Sequence, residues 1–231
     1  MADDDGATSG GAGPEQAKML RRRQRELRTA HARGVMQGVL SMLRPGDVVI
    51  DCGANRGSVS VPLAATGAIV HAFEPDPYNL ARLTKAMRPF PLTVLHPCAA
   101  GTASGSVRLM RAENWQDNPR VASVSSTIIT GGRNIAADAE QGFDVPVIDF
   151  PAFVDELTAK HGEIALLKMD IEGAELEILE TMLARGQFAA IRLTIVETHE
   201  RKFEHLRARF EDLRRAIGAA YPVTRVNLEW M

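Results

Sequence analysis

Residues 48–64 read VVIDCGANRGSVSVPLA, an apolar run that meets an acid and two glycines and then takes on a helical pattern. A short apolar run closed by a glycine turn, with a helix opening directly after it, marks a strand–turn–helix junction. In an open α/β sheet, ligands bind beyond the carboxyl ends of the strands, where the strand order reverses. Asp51, Gly53 and Gly57 fall at such an end. Glycine there lets the backbone turn tightly and approach a ligand. The spacing is G-x-x-x-G rather than the G-x-G-x-x-G of dinucleotide sites, because Asn55 takes the middle glycine's place. The sequence also has no G-x-x-x-x-G-K-[ST] run, which argues against a P-loop nucleotidase.

Further along, AFEPDP puts Glu74 at the end of a second strand, about 20 residues beyond the glycines, the offset at which an acid accepts hydrogen bonds from ribose hydroxyls. One carboxylate accepts from both hydroxyls, and such charge-assisted bonds are the stronger kind. The pair of features suits an adenosine-bearing ligand whose tail is not a pyrophosphate.

The same alternation continues. DVVIDCG, AIVHAFEP, LTVLHPCA, IALLKMDI and IRLTIVET read as strands, with helices near 58–66, 77–88, 151–161, 173–186 and 202–217. Near-continuous apolar strands separated by helices predict a doubly wound, mostly parallel sheet of the α/β class, covered on both faces. GSVRLMRAE and DVPVIDF read as extra strands flanking a polar segment, 114–142, of the kind that carries specificity. YPVTRVNLEWM leaves room for one strand after the last helix.

Ahead of the sheet, residues 1–16 are acidic and glycine-rich, unlike a secretory leader, and read as a disordered tail. Residues 17–44 predict a helical segment, basic in its first half and apolar on one face in its second, at Val35, Met36, Val39, Leu40 and Leu43. Residues 45–231 form the expected main domain. The 231 residues are 45% hydrophobic and 24% charged with a formal net charge of −2, which gives no general drive toward nucleic acid or anionic membranes. The basic run lacks interleaved aromatics for stacking bases and reads as a solvated helix face. The two cysteines, Cys52 and Cys98, sit in apolar runs and read as buried hydrophobes, which fits a reducing, cytoplasmic setting. No run reaches the length of about 18 apolar residues that spans a membrane.

With LLKMDIEGAELEIL and IVETHE added, DCGANRG and AFEPDP resemble the FkbM family of S-adenosylmethionine-dependent methyltransferases, over about residues 46–200. The resemblance implies a class I methyltransferase sheet, S-adenosylmethionine as cofactor, and O-methylation of a small molecule or saccharide. It assigns Asp51, Gly53, Asn55 and Gly57 to the cofactor loop and Glu74 to the ribose. Pro75 and Asp76 fall to the adenine-side turn, Ala99 to the adenine pocket, and Asp170 to the methyl end. The family sheet closes with two further strands where this sequence has room for one.

Methyl transfer needs the acceptor positioned and its proton managed. Lys168, Asp170 and Glu172 cluster after one strand, Glu197 and His199 after another. Asp170 is the leading candidate for contact with cofactor or acceptor. His199 is a candidate base, since its ordinary pKa lies near 6.5, or else caps the following helix. Glu172 and Glu175 fall where carboxylates favour a helix start. Asp170, Glu197 and His199 could gather around a hard divalent ion, but the expectation is a site without metal. Phe203, Leu206, Phe210, Leu213 and Ile217 have the spacing of a core-facing helix stripe. Trp115 and Trp230 are too isolated to suggest a ligand cage. Two alternatives use the same sheet: a dinucleotide-dependent oxidoreductase, and a non-catalytic cofactor-binding protein touching RNA through the basic helix. Oligomeric state is not encoded in any feature of the sequence.

Overall fold

The computed structural model of the chain describes residues 13–110 and 142–230. The rest of the N-terminal tail, Trp115 and nearly all of 114–142 lie outside those residues.

Helix α1 spans Pro14–Met42 and begins three residues earlier than the sequence suggests. Proline suits a first helical turn, where its missing N–H has no partner to lose. The first half of α1 is exposed, while Ala32, Val39 and their neighbours Val35, Met36, Leu40 and Leu43 pack on the core. There follow β1 (Val48–Cys52), α2 (Ser60–Ala65), β2 (Ile69–Phe73), α3 (Pro77–Met87) and β3 (Thr93–His96). After these come β4 (Ala99–Gly101), β5 (Gly105–Leu109), β6 (Phe143–Asp149), α4 (Phe150–His161), β7 (Leu166–Met169) and α5 (Glu175–Ala184). The chain closes with β8 (Thr194–Val196), α6 (Arg207–Ala220) and β9 (Val226–Asn227).

Six strands form one sheet in the order β3-β2-β1-β7-β8-β9, every pairing parallel. The order reverses between β1 and β7, which opens a crevice at their carboxyl ends. The expected α/β, doubly wound architecture with an N-terminal helical extension is the observed one. β1, β7 and β8 are buried along their whole length, as a sheet covered on both faces requires. Their side chains alternate between two cores. Ile50, Cys52, Leu167, Met169 and Val196 pack with α4, α5 and α6 through Val154, Leu179, Phe210 and Leu213. Val49, Val70, Leu166 and Ile195 pack with α1, α2 and α3 through Val39, Leu63 and Leu83. Each such large side chain, once fully buried, contributes about 1.5–3 kcal/mol.

Two details depart from the sequence reading. LTVLHPCA is two strands, not one. Pro97 cannot donate to a ladder, so β3 stops at His96 and β4 leaves for a second sheet. That sheet, β4-β6-β5, unites the two expected extra strands with β4. Phe203 precedes its helix, which starts at Arg207 after a short 3-10 turn, yet it is fully buried like Phe210. The C-terminal segment supplies one two-residue strand, β9, and among the described residues the large sheet ends there.

Candidate active site

A cleft of about 910 Å³ lies at the carboxyl ends of β1, β2, β7 and β8, within the range of ligand pockets. Backbone bonds join these ends. The Asp170 N–H donates to the Cys52 carbonyl (3.1 Å), and the Glu197 N–H to that of Met169 (3.0 Å). The Gly53 and Ala54 N–H groups both donate to the Phe73 carbonyl, at 3.1 and 2.9 Å.

Gly53 to Gly57 form one wall. Gly53 has φ +76°, and a Cβ there would stand 1.8 Å from the Asp170 carbonyl oxygen. The glycine is required by the neighbouring strand's loop rather than by a ligand. Asn55 also adopts a left-handed conformation, φ 50°, which asparagine tolerates better than most residues.

Glu74 stands across from that turn. It is 5% exposed yet lines the cleft. One carboxylate oxygen accepts the Asn55 N–H (2.8 Å) and the other the Asp76 N–H (2.9 Å). The Asn79 side chain supplies a third hydrogen bond, and because a carboxylate has about four lone-pair sites, room for one more donor remains. Burial raises its pKa to about 7 against the opposing backbone bonds. Pro75, Asp76, Cys98 and Ala99 continue the wall on this side. Asp76 also caps α3, its side chain accepting the Tyr78 N–H at 2.8 Å.

Asp51 does not face the cleft, contrary to its assignment to the cofactor loop. It is fully buried beneath the turn, 3.1 Å from Lys168 Nζ, and its other oxygen accepts from Ser60 Oγ at 2.6 Å. Lys168 Nζ also donates to the Gly53 carbonyl at 2.9 Å and the Cys52 carbonyl at 3.2 Å, and lies 3.8 Å from Asp170. Burial opposes its charge, but Asp51 and Asp170 outweigh that and raise its pKa. One ammonium thus fastens the glycine turn to the end of β7.

Asp170, Glu172 and Glu197 also line the cleft. Burial raises the Glu197 pKa to about 7, with the Asp170 charge adding to the effect. His199 lies behind them. Its Nδ1 is 3.0 Å from Glu175, and its Nε2 is 3.5 Å from Glu172 and 3.7 Å from Asp170. Burial lowers its pKa, but the Glu175 hydrogen bond and the three surrounding carboxylates raise it to about 9. At neutral pH it is an imidazolium with no lone pair for a substrate proton. The base role read from sequence therefore gives way to that of a positive centre holding the loop. Glu175 completes this loop by accepting the N–H groups of Ile171 and Gly173, both at 2.9 Å. Lys202 Nζ lies 2.9 Å from Glu172, which adopts φ 59°.

Asp170, Glu175 and His199 bring ligand atoms within 4.8 Å of one another. This triad differs from the Asp170, Glu197 and His199 grouping considered from sequence. Glu175 already serves two backbone donors and His199 is charged, so as built the cluster is an ion network. Trp230, 4% exposed, stands in the cleft wall despite its isolation in sequence. Only the gathering of strand ends brings it there, which no local pattern announces. Cys52 and Cys98 are free and buried. Among the described residues no helix is long and apolar enough to cross a membrane.

A crevice at the reversal point of a parallel sheet is where doubly wound α/β proteins bind their ligands. The chain belongs to the methyltransferase FkbM domain family, whose pattern it matches over residues 51–220. It is 30% identical over 180 residues to the 31-O-demethyl-FK506 methyltransferase FkbM of Streptomyces tacrolimicus, covering 68% of this chain and 67% of that one. It is 30% identical over 168 residues to the hexuronic acid methyltransferase AglP of Haloferax volcanii, covering 71% of this chain and 61% of that protein. The chain thus spans roughly two thirds of the length of these relatives. A TehB-like SAM-dependent methyltransferase from Corynebacterium glutamicum aligns with 36% of this chain and 45% of its own at 21% identity, with a TM-score of 0.23, too slight a likeness to add to the argument.

Proposed function

We propose that the protein is an S-adenosylmethionine-dependent methyltransferase acting on a hydroxyl of a small molecule or saccharide. The observation that carries this reading is Glu74, a buried carboxylate set in the cleft wall by two backbone donors and the Asn79 side chain, with room left for a further donor. That arrangement fits a hydroxyl of a ribose. Asn55 in place of a middle glycine, and a wall of acids rather than anion-binding groups, fit a cationic tail better than a pyrophosphate. When bound, S-adenosylmethionine supplies an electrophilic methyl on a sulfonium.

Glu74 would hold the ribose, Pro75, Asp76 and Ala99 the adenine side, and Gly53, Asn55 and Gly57 the amino-acid end. Asp51 supports that turn through Lys168. Asp170 faces the reacting end. Glu197, with a pKa of about 7, accepts the acceptor's hydroxyl proton at its carboxylate, near the optimum for a base at neutral pH. His199 keeps the Asp170–Glu175 loop in place. The relatives named for a demethylated FK506 and a hexuronic acid support a small-molecule or saccharide acceptor. Incubation with methyl-labelled S-adenosylmethionine and a pool of hydroxylated metabolites tests the reading. Label in an ether-linked product is expected, whereas preferential binding of NADH with no label transferred would favour an oxidoreductase.

A further inference from the structure

The first half of α1 stands clear of the sheet, and its charges follow the helical period. Segment 14–33 holds seven basic residues against two acidic ones, in a chain whose formal net charge is −2. Lys18, Arg21, Arg25 and Arg28 recur at three- and four-residue spacing. The same spacing continues through Ala32, Val35 and Val39, which pack on the core. The four cations therefore extend the core-facing side of the helix as a stripe beyond the body. All four are exposed, and none has an acidic partner among the described residues. The Arg22–Glu26 pair, at 2.9 Å, lies off the stripe. Like charges three or four residues apart repel, so the stripe weakens the helix that carries it, unlike a solvated face of mixed sign.

The helix leaves the body beside the cleft. α1 ends at Met42, ahead of β1 and so at the amino edge of the sheet, and its earlier turns run toward the carboxyl edge. Ala32 shares a core cluster with Ala54 and Trp230, both in the cleft wall. His31 borders a hollow with Leu228 and Glu229, the residues directly before Trp230. The cleft itself carries Asp170, Glu172 and Glu197, which repel a further anion. We propose that the stripe of Lys18, Arg21, Arg25 and Arg28 binds the negative groups of an anionic saccharide acceptor, a reading that rests on the function proposed above. The saccharide keeps its charges on α1, outside the acidic cleft, and presents an uncharged hydroxyl to Glu197. Successive cations stand about 4.5–6 Å apart along the axis, so several charged sugar units of one chain are engaged at once. Segment 14–33 has no aromatic side chain, which leaves the bases of a single-stranded nucleic acid nothing to stack on.

Polygalacturonate oligomers serve as the probe, with the fully methyl-esterified oligomers as an uncharged match and poly(U) as a nucleic acid. Calorimetric titration of the whole chain should show polygalacturonate binding that weakens with salt, and no binding of the ester. The triple change Arg21→Gln, Arg25→Gln and Arg28→Gln should weaken that binding at least about tenfold. Arg22→Gln, Arg23→Gln and Arg33→Gln together remove the same charge off the stripe and should preserve most of it. All six side chains are exposed, and a melting curve verifies that each variant folds. Equal losses from both triple variants, tighter binding of poly(U), or no binding of polygalacturonate would overturn the proposal. S-adenosylhomocysteine should bind both variants as it binds the unaltered protein. If it does not bind the unaltered protein, the transferase reading fails and the acceptor role with it, whatever the saccharide titration shows.

Discussion

Gly53 and Asp170 approach so closely that a Cβ on residue 53 would stand 1.8 Å from the Asp170 carbonyl oxygen. The glycine turn after β1 and the acid-bearing loop after β7 therefore share one position, and neither moves without the other. Gly53→Ala combines backbone strain at φ +76° with a backbone clash. It should destabilise the fold by at least about 2 kcal/mol in urea titration and displace Asp170, with loss of turnover.

Lys168 joins the same two segments by charge, 3.1 Å from Asp51 in a fully buried setting. Removing one member of such a pair strands the other. Lys168→Met should cost about 3–5 kcal/mol of stability, and adding Asp51→Asn should restore a large part of it. A double-mutant cycle in denaturant measures this, and simple additivity of the two changes would contradict the clamp.

The His199 pKa is raised from 6.5 to about 9, so its ion pairs stabilise the fold fully below pH 6.5 and cease to do so as pH rises through 9. Stability should fall between those limits, by about 3 kcal/mol at most. His199→Gln should flatten that slope while lowering stability at pH 6. Were His199 the base, the variant would instead abolish turnover at every pH without altering the slope.

Glu74 titrates near pH 7 in the free protein, and hydroxyl donors favour its ionised form. Cofactor affinity should therefore rise as pH increases from about 6 to 8, with proton release on binding below pH 7. Calorimetry in buffers of different ionisation enthalpy reads that release. Glu197 titrates in the same range, so the experiment is best repeated on Glu197→Gln, where the release assigned to Glu74 should persist.

The parallel sheet, its helices and the acid after β2 were legible in sequence because each rests on local signals: an apolar run, a glycine turn, a fixed offset. What escaped depends on long-range assembly. Asp51 reads as a ligand residue beside two glycines, and only the arrival of Lys168 from β7, more than a hundred residues later, turns it inward. His199 reads as a base until three carboxylates from the preceding loop surround it. Pro97 was a visible signal for splitting LTVLHPCA, outweighed by the apolar residues around it. Trp230 carries no motif at all and takes its meaning from the cleft it closes.

All of these assignments depend on a single carboxylate meeting a sugar. Calorimetric titration of S-adenosylhomocysteine into Glu74→Ala, beside the unaltered protein and with a melting curve to verify folding, addresses it directly. Loss of a charge-assisted hydrogen bond to the sugar predicts affinity at least about tenfold weaker in a folded variant. A folded Glu74→Ala protein that binds the compound as tightly as before would contradict the account.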